Sequence, residues 1–162
     1  MATPVKPIPE GYHSVTASIV VRDAAKALDF YQRAFGATNV QRMMTPDGKK
    51  TMHADFTIGD SHIMMSDEFP EMGPGCRSPE TLGGTSCNLN IYTKDVDALW
   101  KQAVGAGAKV SMPLADQFWG DRYGKLVDPF GHEWGLMTHI ENPTPEEMKK
   151  RAEALFAQAA KR

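Results

Sequence analysis

The stretch VTASIVVRD at residues 15–23 is matched in pattern by CNLNIYTKD at residues 87–95, 72 positions further along the chain. In each copy, an alternating run typical of a half-buried strand ends in a basic residue followed by an aspartate. Asp23 and Asp95 are good N-caps, because a carboxylate accepts hydrogen bonds from the free N–H groups of a first helical turn. A strand followed by a helix is therefore predicted twice.

Both predicted helices carry one apolar face and stop at a glycine. The apolar residues follow the i, i+3, i+4, i+7 spacing of a helix face. They are Ala24, Ala27, Leu28 and Tyr31 in the first helix, and Val96, Leu99, Trp100 and Ala103 in the second. Gly36 and Gly107 stand where each pattern ends, as is typical of a helix C-terminus.

Three more strands are predicted after each helix. They cover residues 39–45, 50–58 and 61–66 in the first half, and 108–114, 123–127 and 133–139 in the second. Pro46-Asp47-Gly48 and Asp128-Pro129-Phe130-Gly131 are strong turn signals between strands. Each half therefore reads as strand–helix–strand–strand–strand.

This repeat predicts an α+β fold of paired βαβββ modules, to which the tail adds a C-terminal helix. We predict one domain at residues 1–140, with modules at about 11–66 and 85–140. The Pro- and Gly-rich segment 67–84 is predicted to be a surface linker between them. Residues 141–162 are predicted to form a helical tail.

The tail is predicted to be helical over residues 144–160. Thr144 and Glu147 form a capping box, and Pro145 stands at the first helical position. The apolar stripe of this helix consists of Met148, Ala152, Leu155, Phe156 and Ala159. We expect the stripe to pack on the body of the protein or on a partner subunit, and a membrane-surface helix is the alternative.

Composition excludes several classes of partner and site. The chain of 162 residues has 18 basic and 20 acidic residues, a net charge of −2, so no basic excess drives nucleic-acid binding. No apolar run is long enough for a membrane helix, and residues 1–12 lack the pattern of a signal peptide, so we expect a cytoplasmic protein with no membrane partner. Cys76 and Cys87 form no CxxC pair, which excludes a zinc knuckle and a thioredoxin-type site.

One face of the predicted strands is apolar and can take the two helices, and the opposite face is polar with few charges. Plain solvent exposure of the second face is the alternative, but such strands usually carry Lys, Glu and Thr. A mixture of Thr, Ser, Asn, His, Asp and Met favours a partly dry cavity with a few convergent polar groups. The predicted ligand-binding residues on this face are Thr16, Ser18, His53, Asp55, Met64, Ser66, Asn88 and Asn90.

Several motifs together resemble the vicinal oxygen chelate superfamily, which holds glyoxalase I, bleomycin-resistance proteins, fosfomycin-resistance enzymes and extradiol dioxygenases. They are VVRDAAKALDFYQRAFGA (20–37), DVDALWKQAVGAGAKV (95–110) and LVDPFGHEWGLMTH (126–139). Two more, HADFTIGDSHIMMSDEFP (53–70) and DQFWGDRYG (116–124), resemble the PhnB-like branch. The resemblance implies that the paired βαβββ modules form a curved, open, mixed sheet around a pocket, and that the protein is a homodimer.

In metal-dependent relatives, four ligands come from the first and last strand of each module. The resemblance places those ligand positions at Thr16, Met64, Asn88 and Gly135. If the alignment of the second position is shifted by one residue, that position falls on Met65. Catalytic divalent ions prefer imidazole, carboxylate or thiolate, and none of these residues supplies one. We therefore predict no metal and no cofactor. The glyoxalase I, fosfomycin-transferase and dioxygenase activities, which need that metal, are not expected.

His53 and Asp55 are the candidate catalytic residues, because they share the cavity face of one strand. A carboxylate beside an imidazole makes a possible acid–base pair. The alternative is a hydrogen-bonded polar pair that only lines the pocket. The other histidines lie at strand ends, where we expect surface residues, and a relocated metal site is an alternative for them; they are His13, His62, His132 and His139.

The segment from Trp119 to Tyr123 is a second candidate for ligand contact. Trp119 and Tyr123 can stack on a planar ligand, and Arg122 can meet an anionic group. The alternative is that Arg122 pairs with Asp116 or Asp121 and only holds the loop.

The favoured function is a metal-independent protein that binds a small organic, partly planar molecule in the sheet cavity. The first alternative is a lyase, isomerase or glyoxalase-type enzyme, acting through His53 and Asp55 or through a metal at an unforeseen site. The second alternative is an interaction module with a vestigial pocket and a docking tail helix.

Overall fold

A computed structural model describes residues 5–159 and shows a β-α-β-β-β order twice. The first copy consists of β1 (Ala17–Val21), α1 (Ala24–Phe35), β2 (Thr38–Met44), β3 (Thr51–Ile58) and β4 (Ser61–Asp67). The second consists of β5 (Asn88–Tyr92), α3 (Val96–Ala106), β6 (Lys109–Asp116), β7 (Asp121–Val127) and β8 (Glu133–His139). Between them lie two short 3-10 turns and the one-turn helix α2 (Pro79–Leu82), and α4 (Pro145–Ala159) follows the second copy.

The strands form two four-stranded sheets with the same topology. The orders are β1-β4-β3-β2 and β5-β8-β7-β6. In each sheet the first strand pairs in parallel with the last, and the other pairings are antiparallel. Neither sheet closes on itself, so β1 and β5 are edge strands. The predicted α+β fold of paired βαβββ units with open mixed sheets and a C-terminal helix is confirmed.

The helix ends lie where the repeat predicts them. The side chain of Asp23 accepts a hydrogen bond from the N–H of Lys26 at 3.0 Å, and that of Asp95 accepts one from Ala98 at 2.9 Å. Gly36 and Gly107 end α1 and α3 with φ of 68° and 116°, in the left-handed region that favours glycine.

A single core joins the two copies. Helices α1 and α3 pack against each other, and Tyr31 and Phe35 of α1 reach across to Trp134 of β8, with ring centroids 5.4 and 4.6 Å apart. The Tyr31 hydroxyl donates to the buried carboxylate of Asp128, in the turn before β8, at 2.8 Å. The aromatic contacts therefore bridge the two copies of the repeat.

The tail helix begins with the predicted capping box. The N–H of Thr144 donates to Glu147 Oε2 at 2.8 Å, and the N–H of Glu147 donates to Thr144 Oγ1 at 3.2 Å. Leu155 and Phe156 are 49% and 69% exposed, so these two members of the stripe do not pack on the body. Packing of the stripe on a partner subunit stays a prediction.

Some of the predicted boundaries extend beyond the described residues. The segments predicted at 1–140, 141–162 and 144–160 include residues 1–4 or 160–162, which lie outside the described residues. The side chain of Ala159 also lies outside them. Within the described part of the chain, the helices are too short or too polar to cross a bilayer.

The linker is attached to the first sheet through the carboxylate of Glu68. It accepts hydrogen bonds from the Thr81 hydroxyl at 2.7 Å, the Ser78 hydroxyl at 2.8 Å and the Ser78 N–H at 3.0 Å. These donors, the Thr81 hydroxyl foremost, lower the pKa of Glu68 from 4.5 to about 2. The Arg22 guanidinium, 3.4 Å from Glu68, adds to this effect.

We expect Glu68→Gln to flatten the acid limb of the stability profile. A lowered pKa means that the carboxylate stabilises the fold above about pH 4.5 and loses this contribution as the pH falls toward about 2. Urea unfolding at a series of pH values measures the slope. Glu10→Gln, at an exposed surface pair, is the control and should keep the wild-type slope. Equal slopes for Glu68→Gln and wild type would contradict this role.

Candidate functional site

A carboxylate, an imidazole and a phenol meet on the polar face of the first sheet. Asp55 Oδ1 lies 2.8 Å from His62 Nδ1, and Asp55 Oδ2 accepts a hydrogen bond from the Tyr12 hydroxyl at 2.5 Å. The rings of Tyr12 and His62 stack with centroids 4.1 Å apart and planes 18° apart. Asp55 is only 7% exposed. Its negative charge raises the pKa of Tyr12, foremost through the hydrogen bond between them.

The β3–β4 hairpin brings Asp55 and His62 together. Gly59 and Asp60 form a two-residue turn, so Thr57 stands opposite His62 and Asp55 opposite Met64. Asp55 and His62 are therefore diagonal neighbours on one face, within reach of each other. Tyr12 comes from the segment before β1, which crosses this face.

A cavity of about 520 Å³ lies beside this group, between the starts of β1 and β4 and the β5 edge. We call it the inter-module cavity. Its apolar wall consists of Ile58, Ile63, Leu89, Ile91 and Trp134, and its polar rim includes His13, Thr16, His62, Asn90 and Tyr92. The volume falls in the roughly 300–1,000 Å³ range of ligand pockets, and an apolar wall with a few polar groups is their usual lining.

The structure brings some of the predicted ligand-binding residues to this cavity and leaves others away from it. Thr16 and Asn90 line it, and Ser18 lines a second groove of about 370 Å³ along the same strand edges. Met64, opposite Asp55 across the strand pair, is half-buried on the polar face. The predicted residues that do not line the inter-module cavity are Ser18, His53, Asp55, Met64, Ser66, Asn88, Trp119, Arg122 and Tyr123.

The predicted acid–base pair of His53 and Asp55 does not form. Both oxygens of Asp55 are taken by His62 and Tyr12, and His53 is exposed opposite Met43 of β2. The side chains of His53 and Asp55, two positions apart on one strand, extend side by side and do not meet. The ring of His62, the diagonal neighbour on the next strand, contacts the carboxylate instead. The partner of Asp55 is therefore His62.

Arg122 forms the ion pair with Asp116 that the alternative interpretation names, and its contact with a ligand stays a prediction. Because β7 begins at Asp121, Arg122 and Tyr123 point to opposite faces of the second sheet. Arg122 lies on the helix side, where its guanidinium binds both oxygens of Asp97 in α3 at 2.8 Å and Asp116 at 2.9 Å. These carboxylates, Asp97 foremost, raise the pKa of Arg122. It holds the sheet to the helix.

Trp119 and Tyr123 lie at the far end of the polar face of the second sheet, with centroids 5.8 Å apart. Trp119 Nε1 donates to Asp121 Oδ2 at 3.0 Å, the Tyr92 hydroxyl donates to the same oxygen at 3.2 Å, and His139 Nδ1 lies 2.7 Å from Asp121 Oδ1. Asn142 foremost, and then Asp121, raise the pKa of His139. The ring nitrogen of Trp119 is thus engaged in a structural network around a buried carboxylate.

The four positions carried over from metal-dependent relatives do not fit a divalent ion. A Cβ built on Gly135 would overlap Asn90 Oδ1 and lie 2.7 Å from Tyr123 Cε2, so no ligating side chain has room there. With its amide oriented to suit its neighbours, Asn88 donates to Glu133 and accepts from Lys125 Nζ at 3.2 Å. Thr16 and Met64 add only a hydroxyl and a thioether. Over residues 5–159, no three His, Cys, Asp or Glu side chains cluster as metal ligands do.

From the sequence, His62 is expected at the surface because it follows a turn, and nothing indicates a role for Tyr12. The two-residue turn at Gly59-Asp60 fixes the hairpin register, and that register was the signal that pairs His62 with Asp55. No local signal relates Tyr12 to Asp55, 43 positions away. Lys125 and Glu133, 3.5 Å apart on the polar face of the second sheet, were missed as well.

Comparison with known proteins agrees with this architecture. The model of the Glyoxalase/Bleomycin resistance protein/Dioxygenase superfamily matches residues 12–136. The uncharacterized protein Mb0911c of Mycobacterium bovis is 41% identical over 137 residues, which cover 84% of this chain and 90% of that protein.

Solved structures share the fold. TioX from Micromonospora sp. ML1 superposes with a TM-score of 0.61 at 26% identity, covering 79% of this chain and 99% of TioX. The PhnB protein of Bacillus cereus superposes with a TM-score of 0.56 at 18% identity, covering 78% of this chain and 99% of its own, and at that identity the likeness shows the fold alone. The chain belongs to the glyoxalase/bleomycin resistance protein/dioxygenase superfamily.

Proposed function

We propose that this protein binds a small, partly planar organic molecule in the inter-module cavity, and that binding uses no metal ion at the family's four positions. The observation that carries the proposal is the cavity of about 520 Å³, whose apolar wall meets a rim of hydrogen-bonding groups. The rings of His62 and Trp134 line it, Tyr12 stacks on His62, and flat aromatic surfaces favour a flat ligand.

The other functions differ in what they need from this cavity. An interaction module with a vestigial pocket expects a filled or closed cavity, which the open volume does not favour. Lack of room at Gly135 and the engaged amide of Asn88 support ligand binding without a metal ion over metal-assisted chemistry at the family's four positions. We also propose a homodimer in the cytoplasm, and the free thiols of Cys76 and Cys87 suit a reducing compartment.

The test is a thermal-shift screen of planar aromatic compounds against wild type and Ile91→Trp. A compound present at 100 times its Kd stabilises by about 2.7 kcal/mol, which corresponds to a rise in Tm of roughly 5–10 °C in a domain of this size. We expect Ile91→Trp to lose the shift, because the indole fills the cavity from its apolar wall.

Val110→Trp is the matched control. Val110 is exposed on β6, away from the cavity, and its replacement adds the same indole ring. It should keep the wild-type response to each compound. A screen without hits on wild type, or shifts that persist in Ile91→Trp, would contradict binding in this cavity.

A further inference from the structure

We propose that His62 takes the proton from a weakly acidic O–H or N–H of the planar ligand, so that the inter-module cavity holds its ligand as an anion beside an imidazolium. This inference rests on the proposed function and deepens it, because it names the chemistry of the ligand. Its basis is the contact of His62 with Asp55 and Tyr12 together with the position of the imidazole at the cavity rim.

Asp55 sets the tautomer of His62. An ionised carboxylate has only acceptor oxygens, so the 2.8 Å contact requires that His62 Nδ1 carries the hydrogen and donates it. In the neutral imidazole, Nε2 then has a free lone pair. The ring is therefore presented as a hydrogen-bond acceptor.

Nε2 is open to a ligand. It has no hydrogen-bond partner among residues 5–159, and no buried side-chain nitrogen or oxygen there lacks one, so this atom is accessible to solvent. His62 lines the cavity, and its side chain is 20% exposed. The backbone of Gly11 packs close to Nε2 on one side, where a Cβ would lie only 2.9 Å from the nitrogen.

Tyr12 holds the imidazole and the carboxylate in place. Its ring covers one face of His62 at 4.1 Å, and its hydroxyl occupies the second oxygen of Asp55. The raised pKa of Tyr12 keeps this phenol protonated, so it remains a donor to Asp55. A proton acceptor with fixed geometry binds better than a free side chain, because less rotational freedom is lost on binding.

The proton transfer needs no further reactant. The ligand O–H or N–H bond breaks, its electron pair stays on the ligand, and the proton forms a new N–H bond at His62 Nε2. The carboxylate of Asp55 then faces an imidazolium and stabilises its positive charge. The bound state is an ion pair in a partly apolar site, where such hydrogen bonds are stronger than in water.

The probes are 4-nitrophenol and its methyl ether, 4-nitroanisole. They have nearly the same planar shape, but only the phenol has a proton to give, and its phenolate absorbs visible light. At a pH where free 4-nitrophenol is mostly protonated, we expect wild-type protein to produce the phenolate band. Both probes fill the cavity in the same way, so the ratio of the affinity for 4-nitrophenol to that for 4-nitroanisole measures the contribution of the proton transfer alone.

His62→Asn is the variant that tests the acceptor. Asn Nδ2 replaces the donor at Nδ1, so the contact with Asp55 is kept, and the acceptor at Nε2 is removed. We expect loss of the phenolate band and a fall in affinity for 4-nitrophenol of about tenfold or more relative to 4-nitroanisole, the range of one hydrogen bond to a charged group. Asp55→Asn, which no longer sets the tautomer, should weaken the band with His62 still present.

His53→Asn is the matched control, since His53 is exposed on the same sheet and lies outside the cavity. His13→Asn tests the other histidine at the rim. A phenolate band that survives His62→Asn, or that only His13→Asn removes, would overturn the assignment. Wild-type protein that binds 4-nitroanisole but never the phenolate contradicts this inference alone. Protein that binds neither probe contradicts the inference and the planar ligand of the proposed function together.

Discussion

Replacing Asp128 with alanine is expected to lower the free energy of unfolding by about 4 kcal/mol or more. Its Oδ1 accepts the N–H groups of Phe130 and His132 at 2.8 and 2.9 Å, and its Oδ2 accepts the Tyr31 hydroxyl and Trp134 Nε1 at 2.8 and 2.9 Å. Each buried donor left without a partner costs about 1–3 kcal/mol, and here four lose theirs at once.

Urea unfolding followed by circular dichroism measures this loss. Asp29→Ala is the matched control, because Asp29 is exposed and pairs only with Arg33 on the surface of α1, where such a pair contributes less than about 1 kcal/mol. Asp128→Asn keeps one acceptor oxygen and should fall between the two. If Asp128→Ala cost no more than Asp29→Ala, the carboxylate would have no part in joining the modules.

Gly120→Ala is expected to destabilise the protein by about 3 kcal/mol or more. Gly120 has φ of 98°, where an L-residue is strained by roughly 1–2 kcal/mol. In addition, a Cβ there would overlap the backbone oxygen of Glu141 and lie 2.8 Å from Pro143 Cδ. The chain after β8 must shift to make room, and the backbone oxygen of Gly120, which accepts from Ile140 and Glu141, would lose these bonds.

Gly36→Ala separates the strain from the overlap. Gly36 also has positive φ, 68°, but nothing lies within 4 Å of a Cβ built there. It should cost only the backbone strain, roughly 1–2 kcal/mol. The drop in Tm on heating should be clearly larger for Gly120→Ala, since 1 kcal/mol corresponds to about 2–4 °C in a domain of this size. An equal fall in Tm for the two variants would mean that the segment after β8 moves away from the added Cβ without a loss of stability.

The sequence predicts those structural features that depend on residues close together along the chain. The caps at Asp23 and Asp95 and the glycine ends of α1 and α3 involve contacts within one turn of helix, so their spacing reveals them. The family motifs, spread over residues 20–139, predict the paired βαβββ units and the open mixed sheets that the structure shows.

The differences at the site have physical reasons. The sequence predicts that the strand begins at Tyr123; it begins two residues earlier, and alternation then turns the Arg122 guanidinium toward α3. Alternation along a single strand pairs Asp55 with His53, because it relates only positions within that strand. The contact that matters runs across the hairpin, and its third member, Tyr12, is set by tertiary folding alone.

The shared aromatic core has a consequence for cooperativity. Tyr31 and Phe35 belong to the first copy of the repeat, whereas Trp134 and Asp128 belong to the second. Neither copy can bury its own largest side chains, so a half-molecule would expose them and lose the hydrogen bonds at Asp128. We therefore expect the two copies to unfold as one unit, with the most protected amides of both sharing a single global unfolding reaction in hydrogen exchange.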